Sequence, residues 1–129
     1  MYKLFIQWIH FDLEGETCDR CNQTYNNLIK AIKFVKDKYP DEDIKVAIKE
    51  LKLGEDKLEH SNWIKINGIP IDKIIKIEEV HNYCKSCSDL IGKDVDCKAI
   101  KYRKKSYDSI PTRAIVEALN KSLYLQTKR

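Results

Sequence analysis

Glycine and proline are scarce in this sequence, and long apolar runs are missing. Four glycines and three prolines occur in 129 residues, and none of the glycines belongs to a phosphate-binding loop. Gly-x-Ser-x-Gly and His-Glu-x-x-His motifs are also missing. No segment approaches the roughly 18 consecutive apolar residues that a transmembrane helix needs. The sequence therefore argues against a P-loop nucleotide enzyme, a serine hydrolase, a common type of zinc protease and a membrane protein.

Basic and acidic residues are nearly balanced and are mixed along the chain. The 24 lysines and arginines stand against 20 aspartates and glutamates, for a net charge of +4. This mixture predicts a solvated surface and no nucleic-acid partner. One local basic cluster comprises Lys98, Lys101 and residues 103–105. We expect it on the outer face of an edge hairpin, where lysines oppose strand pairing, and a phosphate-binding strip is the alternative.

The N-terminus and the cysteine count together predict a cellular compartment. The first residues carry one positive charge, an interrupted apolar run and no small-residue cleavage site, so they predict a first strand and not a signal peptide. We therefore expect a soluble cytoplasmic protein. Five cysteines cannot form a fully paired disulfide framework, and a reducing compartment leaves redox chemistry, metal binding or plain packing for these thiols.

The first half of the chain predicts a parallel β-α-β unit. Residues 3–11 are apolar on both faces, as in a central strand, and a helical spacing follows from about residue 18 to 38. Residues 44–53 predict a second strand with a bulge or bend near Glu50, because the apolar parity shifts there. Asn67-Gly68 then predicts a tight hairpin turn.

The second half is less regular. Residues 72–92 have a broadly helical spacing that ends at Gly92. Residues 97–102 predict a strand with a short return near Tyr107, and Pro111 is well placed to open a final helix. The length and the 43% apolar content predict one domain, residues 1–129.

The order strand, CxxC, helix, strand, hairpin, helix resembles the thioredoxin-like fold in its glutaredoxin-like arrangement. Residues 64–71 resemble the strand and Asn-Gly turn of glutaredoxins. The resemblance implies an α/β fold: a mixed sheet of about four strands with flanking helices as a core in residues 1–71, and a cysteine-bearing helix, hairpin and helix as an extension in residues 72–129. Thioredoxin-like oxidoreductases usually carry a cis-proline at the place of Asn62, which this chain lacks.

The cysteine motifs resemble one family more closely. The segment GETCDRC at residues 15–21, Ser61-Asn62-Trp63, the pair Cys84 and Cys87, Cys97 and Ile110-Pro111 are together similar to a family of prokaryotic thioredoxin-like domains of unknown function. This resemblance covers nearly the whole chain but implies no substrate.

Cys18 and Cys21 are the candidate catalytic residues. At a helix N-terminus the free amides and the dipole favour an anion and lower the pKa of a thiol. We expect Cys18 at an accessible corner as the nucleophile that attacks a disulfide, Cys21 as the resolving thiol and Thr17 as the N-cap. The partner would be a protein disulfide or a small thiol, and no cofactor is required. The alternative is two buried cysteines that only pack.

A second cysteine group is the candidate metal site. On a helix, His81, Cys84 and Cys87 would lie along one flank, and Cys97 would approach from beyond Gly92, so four ligands could hold tetrahedral zinc. Three thiolates without the histidine could hold another thiophilic ion. These cysteines could also form a second redox pair, or they could simply pack in the core.

Two functions follow from these patterns. The first is a cytoplasmic thiol-disulfide oxidoreductase or redox relay that uses Cys18 and Cys21. The second is a non-catalytic binding module for a soft metal or metalloid that uses Cys84, Cys87 and Cys97, with or without Cys18 and Cys21. A partner-binding adaptor without either chemistry is a third possibility, because fold does not determine function.

Overall fold

The apolar segment near the N-terminus forms the central strand of a mixed sheet. In the computed structural model, which describes residues 1–127, β1 (Tyr2–Phe11) is followed by α1 (Asp19–Lys38) and by β2 (Ile44–Leu53), which pairs with β1 in parallel. On the other side of β1 lie the antiparallel strands β3 (Trp63–Ile66) and β4 (Ile69–Pro70), so the strand order is β2-β1-β3-β4. The predicted α/β architecture with a four-stranded mixed sheet is confirmed.

The bulge expected near Glu50 is wrong. The parallel register of β1 and β2 is unbroken from Tyr2 opposite Ile44 to Phe11 opposite Leu53. Since β2 is an edge strand and mostly exposed, its apolar residues do not all have to lie on one face. The parity shift therefore reflects exposure and not a change in backbone pairing.

The Asn67-Gly68 turn is confirmed. Both residues have positive φ, 52° and 80°, which these residue types tolerate best. The Asn67 side chain also fixes the turn against the start of β1, because its Oδ1 accepts a hydrogen bond from the Phe5 amide at 2.8 Å and its Nδ2 donates to the Lys3 carbonyl at 3.2 Å.

The helix expected over residues 72–92 is largely wrong. A 3-10 turn at Ile71–Lys73 precedes β5 (Glu78–Tyr83), and only α2 (Lys85–Ile91) is α-helical before Gly92 ends it with φ of 88°. β5 pairs antiparallel with β6 (Asp96–Tyr102), and this long-range pairing overrides the helical spacing.

The rest of the extension follows the sequence analysis. β6 turns back into β7 (Lys105–Tyr107), which completes a second sheet of order β5-β6-β7, and α3 (Thr112–Thr127) follows Pro111 and packs on α1. Within the basic cluster, Lys98 is the exception to the expected outer face. It is buried, with its Nζ 3.4 Å from a Glu79 carboxylate oxygen and 4.1 Å from the Trp63 ring centre. None of the helices described is long and apolar enough to cross a membrane.

Asn62 joins the two halves of the fold, residues 1–71 and residues 72–127. Its buried amide accepts a hydrogen bond from the Thr24 hydroxyl at 2.6 Å and donates to the carbonyls of Lys98 at 2.8 Å and Asp108 at 2.9 Å. Its φ is 59°, a value that asparagine tolerates better than most residues. Within residues 1–127 every peptide bond is trans, including Ser61-Asn62.

Candidate functional site

Four cysteine sulfurs converge where the two halves of the fold meet. The Sγ atoms of Cys18, Cys84, Cys87 and Cys97 all lie within 4.8 Å of one another, and each side chain is at most 3% exposed. Around a tetrahedral ion with metal–sulfur bonds of about 2.3 Å, the sulfurs stand about 3.8 Å apart. A small contraction of the group would therefore give four bonds to one ion.

Each half of the fold contributes to this group. Cys18 directly precedes α1, Cys84 directly precedes α2, Cys87 lies in the first turn of α2, and Cys97 lies on β6. The order of elements thus brings together cysteines that are up to 79 positions apart in the chain (97 − 18).

Two side chains tie these segments to each other. The guanidinium of Arg20 donates hydrogen bonds to the carbonyls of Cys97 at 3.2 Å and Tyr83 at 2.7 Å. The Ser86 hydroxyl oxygen accepts a hydrogen bond from the amide of Asp19 at 2.7 Å. The start of α1 is therefore anchored to both of the segments that supply the other three sulfurs.

The thiols of the group shift one another's pKa values, and those of Cys18 and Cys84 are lowered. Hydrogen bonding from Cys21, and then from Cys84, Cys87 and Cys97, holds the pKa of Cys18 far below its ordinary value and outweighs burial. The pKa of Cys84 is lowered to about 6: the Cys18 sulfur acts to raise it, and the hydrogen bonds with Cys87 and Cys97 outweigh that effect. The pKa values of Cys21, Cys87 and Cys97 are raised, in each case first through their hydrogen bonds with Cys18.

The comparisons with known proteins agree with the motif-based expectation of an uncharacterised family. The profile of the family described as Domain of unknown function (DUF2703) matches residues 4–119. The chain belongs to the DUF2703 family. An uncharacterised protein of Archaeoglobus fulgidus is 29% identical over 102 residues, which cover 76% of this chain and 72% of that protein. No solved structure matches the chain.

In this DUF2703 chain the predicted second cysteine group is only partly as expected. The structure brings Cys84, Cys87 and Cys97 together but leaves His81 out. His81 lies on β5, not on a helix with the cysteines, and its Nε2 is 2.9 Å from a Glu79 carboxylate oxygen. The fourth ligand atom within reach is the Cys18 sulfur. The sequence leaves the participation of the first pair open, because Cys18 lies far from the other three cysteines in the chain and also forms a CxxC motif with Cys21.

The first pair is close but buried. The Sγ atoms of Cys18 and Cys21 are 3.7 Å apart, and both side chains are fully buried, so the expected accessible corner is wrong. Thr17 is not the N-cap either. Cys18 occupies that position, and no side chain caps α1 by a hydrogen bond.

A surface groove lies next to the cysteine group. It has a volume of about 520 Å³ and is lined in part by Thr17, Asp19 and Ser86. These residues are the chain neighbours of Cys18 and Cys87. The groove therefore reaches the chain neighbours of two of the cysteines, while the cysteines themselves are buried.

Proposed function

We propose that this protein binds a soft metal ion in a four-thiolate centre formed by Cys18, Cys84, Cys87 and Cys97, with zinc as the expected ion. The observation that carries the proposal is the convergence of four buried sulfurs within 4.8 Å. Soft thiolates select zinc, copper(I) and iron, and a tetrahedral set of four sulfurs is typical of zinc or iron.

The enclosure of the group favours a structural role for the ion. A catalytic zinc keeps one coordination position open for water or substrate, whereas a structural zinc is closed by four protein ligands. Here four sulfurs are available, and all are buried. A bound ion would connect α1, α2 and β6, and its binding free energy would add to the stability of the fold.

The residues around the group support the charge of such a centre. Bound cysteines must be deprotonated. The pKa values of Cys18 and Cys84 are lowered, whereas those of Cys87 and Cys97 are raised, so the positive charge of a bound ion would be needed to deprotonate the last two. The Arg20 side chain adds a positive charge next to the Cys97 carbonyl.

Metal analysis of protein purified anaerobically tests this proposal. The reduced wild-type protein, reconstituted with zinc and passed through a desalting column, is expected to retain a stoichiometric amount of zinc. Cys84→Ser and Cys97→Ser are expected to lose most of it. Cys21→Ser is the matched control, because Cys21 is a neighbouring buried cysteine outside the group of four. A reduced wild-type protein that is metal-free and has five titratable thiols would overturn the proposal.

A thioredoxin-like thiol-disulfide oxidoreductase of the cytoplasm is the second candidate function. The 3.7 Å separation of the Cys18 and Cys21 sulfurs favours it, as does the position of this CxxC pair between the central strand of a mixed sheet and a long helix. In this function Cys18 attacks a protein disulfide or a small disulfide, and Cys21 resolves the mixed disulfide. Mass spectrometry under graded oxidation tests it: a Cys18–Cys21 bridge that dithiothreitol reduces is expected.

A further inference from the structure

Cys18 belongs to two groups of sulfurs that cannot use it at the same time. Its Sγ lies 3.7 Å from that of Cys21, and it is also one of the four sulfurs within 4.8 Å of one another. A sulfur in a disulfide carries no thiolate charge for a metal ion, because only the thiolate is a ligand. A Cys18–Cys21 bridge therefore excludes the four-thiolate centre.

We propose that this shared sulfur makes the site a peroxide-sensitive metal switch: hydrogen peroxide oxidises Cys18, Cys21 closes a disulfide onto it, and the metal ion is released. The inference rests on the metal binding proposed above and adds its regulation. Cys21 then has a function that metal binding alone does not give it.

The reaction balances with hydrogen peroxide as the oxidant. The Cys18 thiolate attacks one peroxide oxygen, an S–O bond forms, the O–O bond breaks, and hydroxide leaves. The Cys21 thiol then attacks the sulfur of the Cys18 sulfenic acid, the S–S bond forms, the S–O bond breaks, and water leaves with the Cys21 proton. Two electrons pass from the two sulfurs to the peroxide, and the ion itself is not oxidised or reduced.

Burial selects a small oxidant. Cys18 and Cys21 are both fully buried, so a folded protein disulfide cannot approach them in this conformation. Hydrogen peroxide is little larger than water, and the groove beside Thr17, Asp19 and Ser86 brings solvent to the chain neighbours of Cys18 and Cys87. The closed site therefore favours peroxide over a protein partner.

Proximity and chain spacing favour Cys21 as the resolving thiol. A disulfide needs sulfurs about 2.05 Å apart, so the Cys18 and Cys21 sulfurs must approach by about 1.7 Å from their 3.7 Å separation. Both residues lie at the start of α1, and one turn of backbone links them. Closing this bridge leaves Cys84, Cys87 and Cys97 as three thiolates without their fourth partner.

Peroxide titration of the zinc-loaded protein tests the switch. Zinc release is followed with a colorimetric chelator, and disulfides are mapped by peptide mass spectrometry under acid quench. The wild-type protein is expected to release its zinc in step with the Cys18–Cys21 disulfide, and dithiothreitol with added zinc is expected to restore the bound state. In Cys21→Ser, zinc is expected to bind as in wild type, but the disulfide is lost and release at equimolar peroxide is lost with it.

The outcomes separate this inference from the function on which it rests. The zinc content of the reduced wild-type protein is measured before peroxide is added, and a lack of zinc there contradicts the metal centre itself. If zinc is bound but peroxide releases it equally fast from wild type and Cys21→Ser, the switch is contradicted and the metal centre is not. The same holds if the wild-type bridge forms among Cys84, Cys87 and Cys97. That bridge map needs no variant, so the test stands even if Cys21→Ser folds poorly.

Discussion

The Arg20 guanidinium donates a hydrogen bond to the carbonyl of Cys97 at 3.2 Å, and its other nitrogen donates to the carbonyl of Tyr83 at 2.7 Å. One side chain at the start of α1 thus holds both of the backbone segments that enter the cysteine group from the second sheet. The Arg20 side chain is 10% exposed, and its hydrogen bond to Cys97 is partly buried while the one to Tyr83 is exposed.

Removal of the Arg20 side chain is expected to destabilise the protein. Because hydrogen bonds to charged groups contribute about 1.5–3 kcal/mol, Arg20→Ala is expected to lower the free energy of unfolding by about 2–3 kcal/mol in urea titrations of the metal-free protein. Arg20→Lys keeps the charge but loses the two-nitrogen geometry, so its free energy of unfolding is expected to lie between those of wild type and Arg20→Ala. Arg113→Ala, at an exposed position of α3, is the control, and an equal loss in both alanine variants would contradict this role of Arg20.

Replacement of Asn62 is expected to destabilise the protein more than replacement of Arg20. Asn62→Ala leaves the carbonyls of Lys98 and Asp108 and the Thr24 hydroxyl without their partner. We expect a loss of about 3 kcal/mol or more in urea unfolding, from several hydrogen bonds at about 1 kcal/mol each plus the cost of unsatisfied buried groups.

Thr24 offers a matched pair of variants for the same network. Its hydroxyl donates to Asn62 and accepts from the Ile110 amide. Thr24→Ser keeps both bonds and is expected to stay close to wild type in urea unfolding, whereas Thr24→Val is expected to lose about 1–3 kcal/mol. Equal stability of the two variants would contradict the role of this network.

His81 is expected to be dispensable for metal binding. Its ring nitrogen faces Glu79, and it lies outside the four-sulfur group. His81→Asn should therefore retain as much zinc as wild type in the same anaerobic metal analysis. Loss of zinc from His81→Asn, with the fold intact by circular dichroism, would restore the mixed histidine and cysteine site that the sequence suggested.

Glu79 gives a prediction for acid pH. Burial acts to raise its pKa, but the hydrogen bond with His81 and the charge of Lys98 outweigh burial and lower it below 4.5. The unfolded chain thus binds the proton more readily, so this contribution is present above the unfolded pKa and is lost as pH falls through the folded pKa. In Glu79→Gln the free energy of unfolding should fall less than in wild type as the pH is lowered. The difference should be less than about 1 kcal/mol, since the side chain is partly exposed.

Glu78→Gln, on the same strand, is the control for this pH profile. Both carboxylates are exposed on β5, but only Glu79 contacts His81 and Lys98. An identical change in the acid limb for the two variants would contradict the assignment to Glu79.

Local patterns were sufficient to predict the first half of the fold. The two-sided apolar run of β1, the periodicity of α1 and the Asn67-Gly68 turn each depend on nearby residues, and each is confirmed. The start of α3 after Pro111 also follows from local chemistry.

The site required information that the local pattern does not contain. The spacing of His81, Cys84 and Cys87 fits a helix, but pairing with β6 makes the first of them part of a strand. The inclusion of Cys18 depends on how the second sheet packs against the start of α1, and this is held by Arg20 and Ser86. The sequence therefore identified the five cysteines but not how they are grouped.

X-ray absorption at the zinc edge of the reconstituted, reduced protein tests the central claim most directly. The account predicts a single shell of four sulfurs at about 2.3 Å in wild type and in Cys21→Ser, and the loss of one sulfur in Cys18→Ser. A shell that contains nitrogen in wild type, or one that keeps four sulfurs in Cys18→Ser, would contradict it.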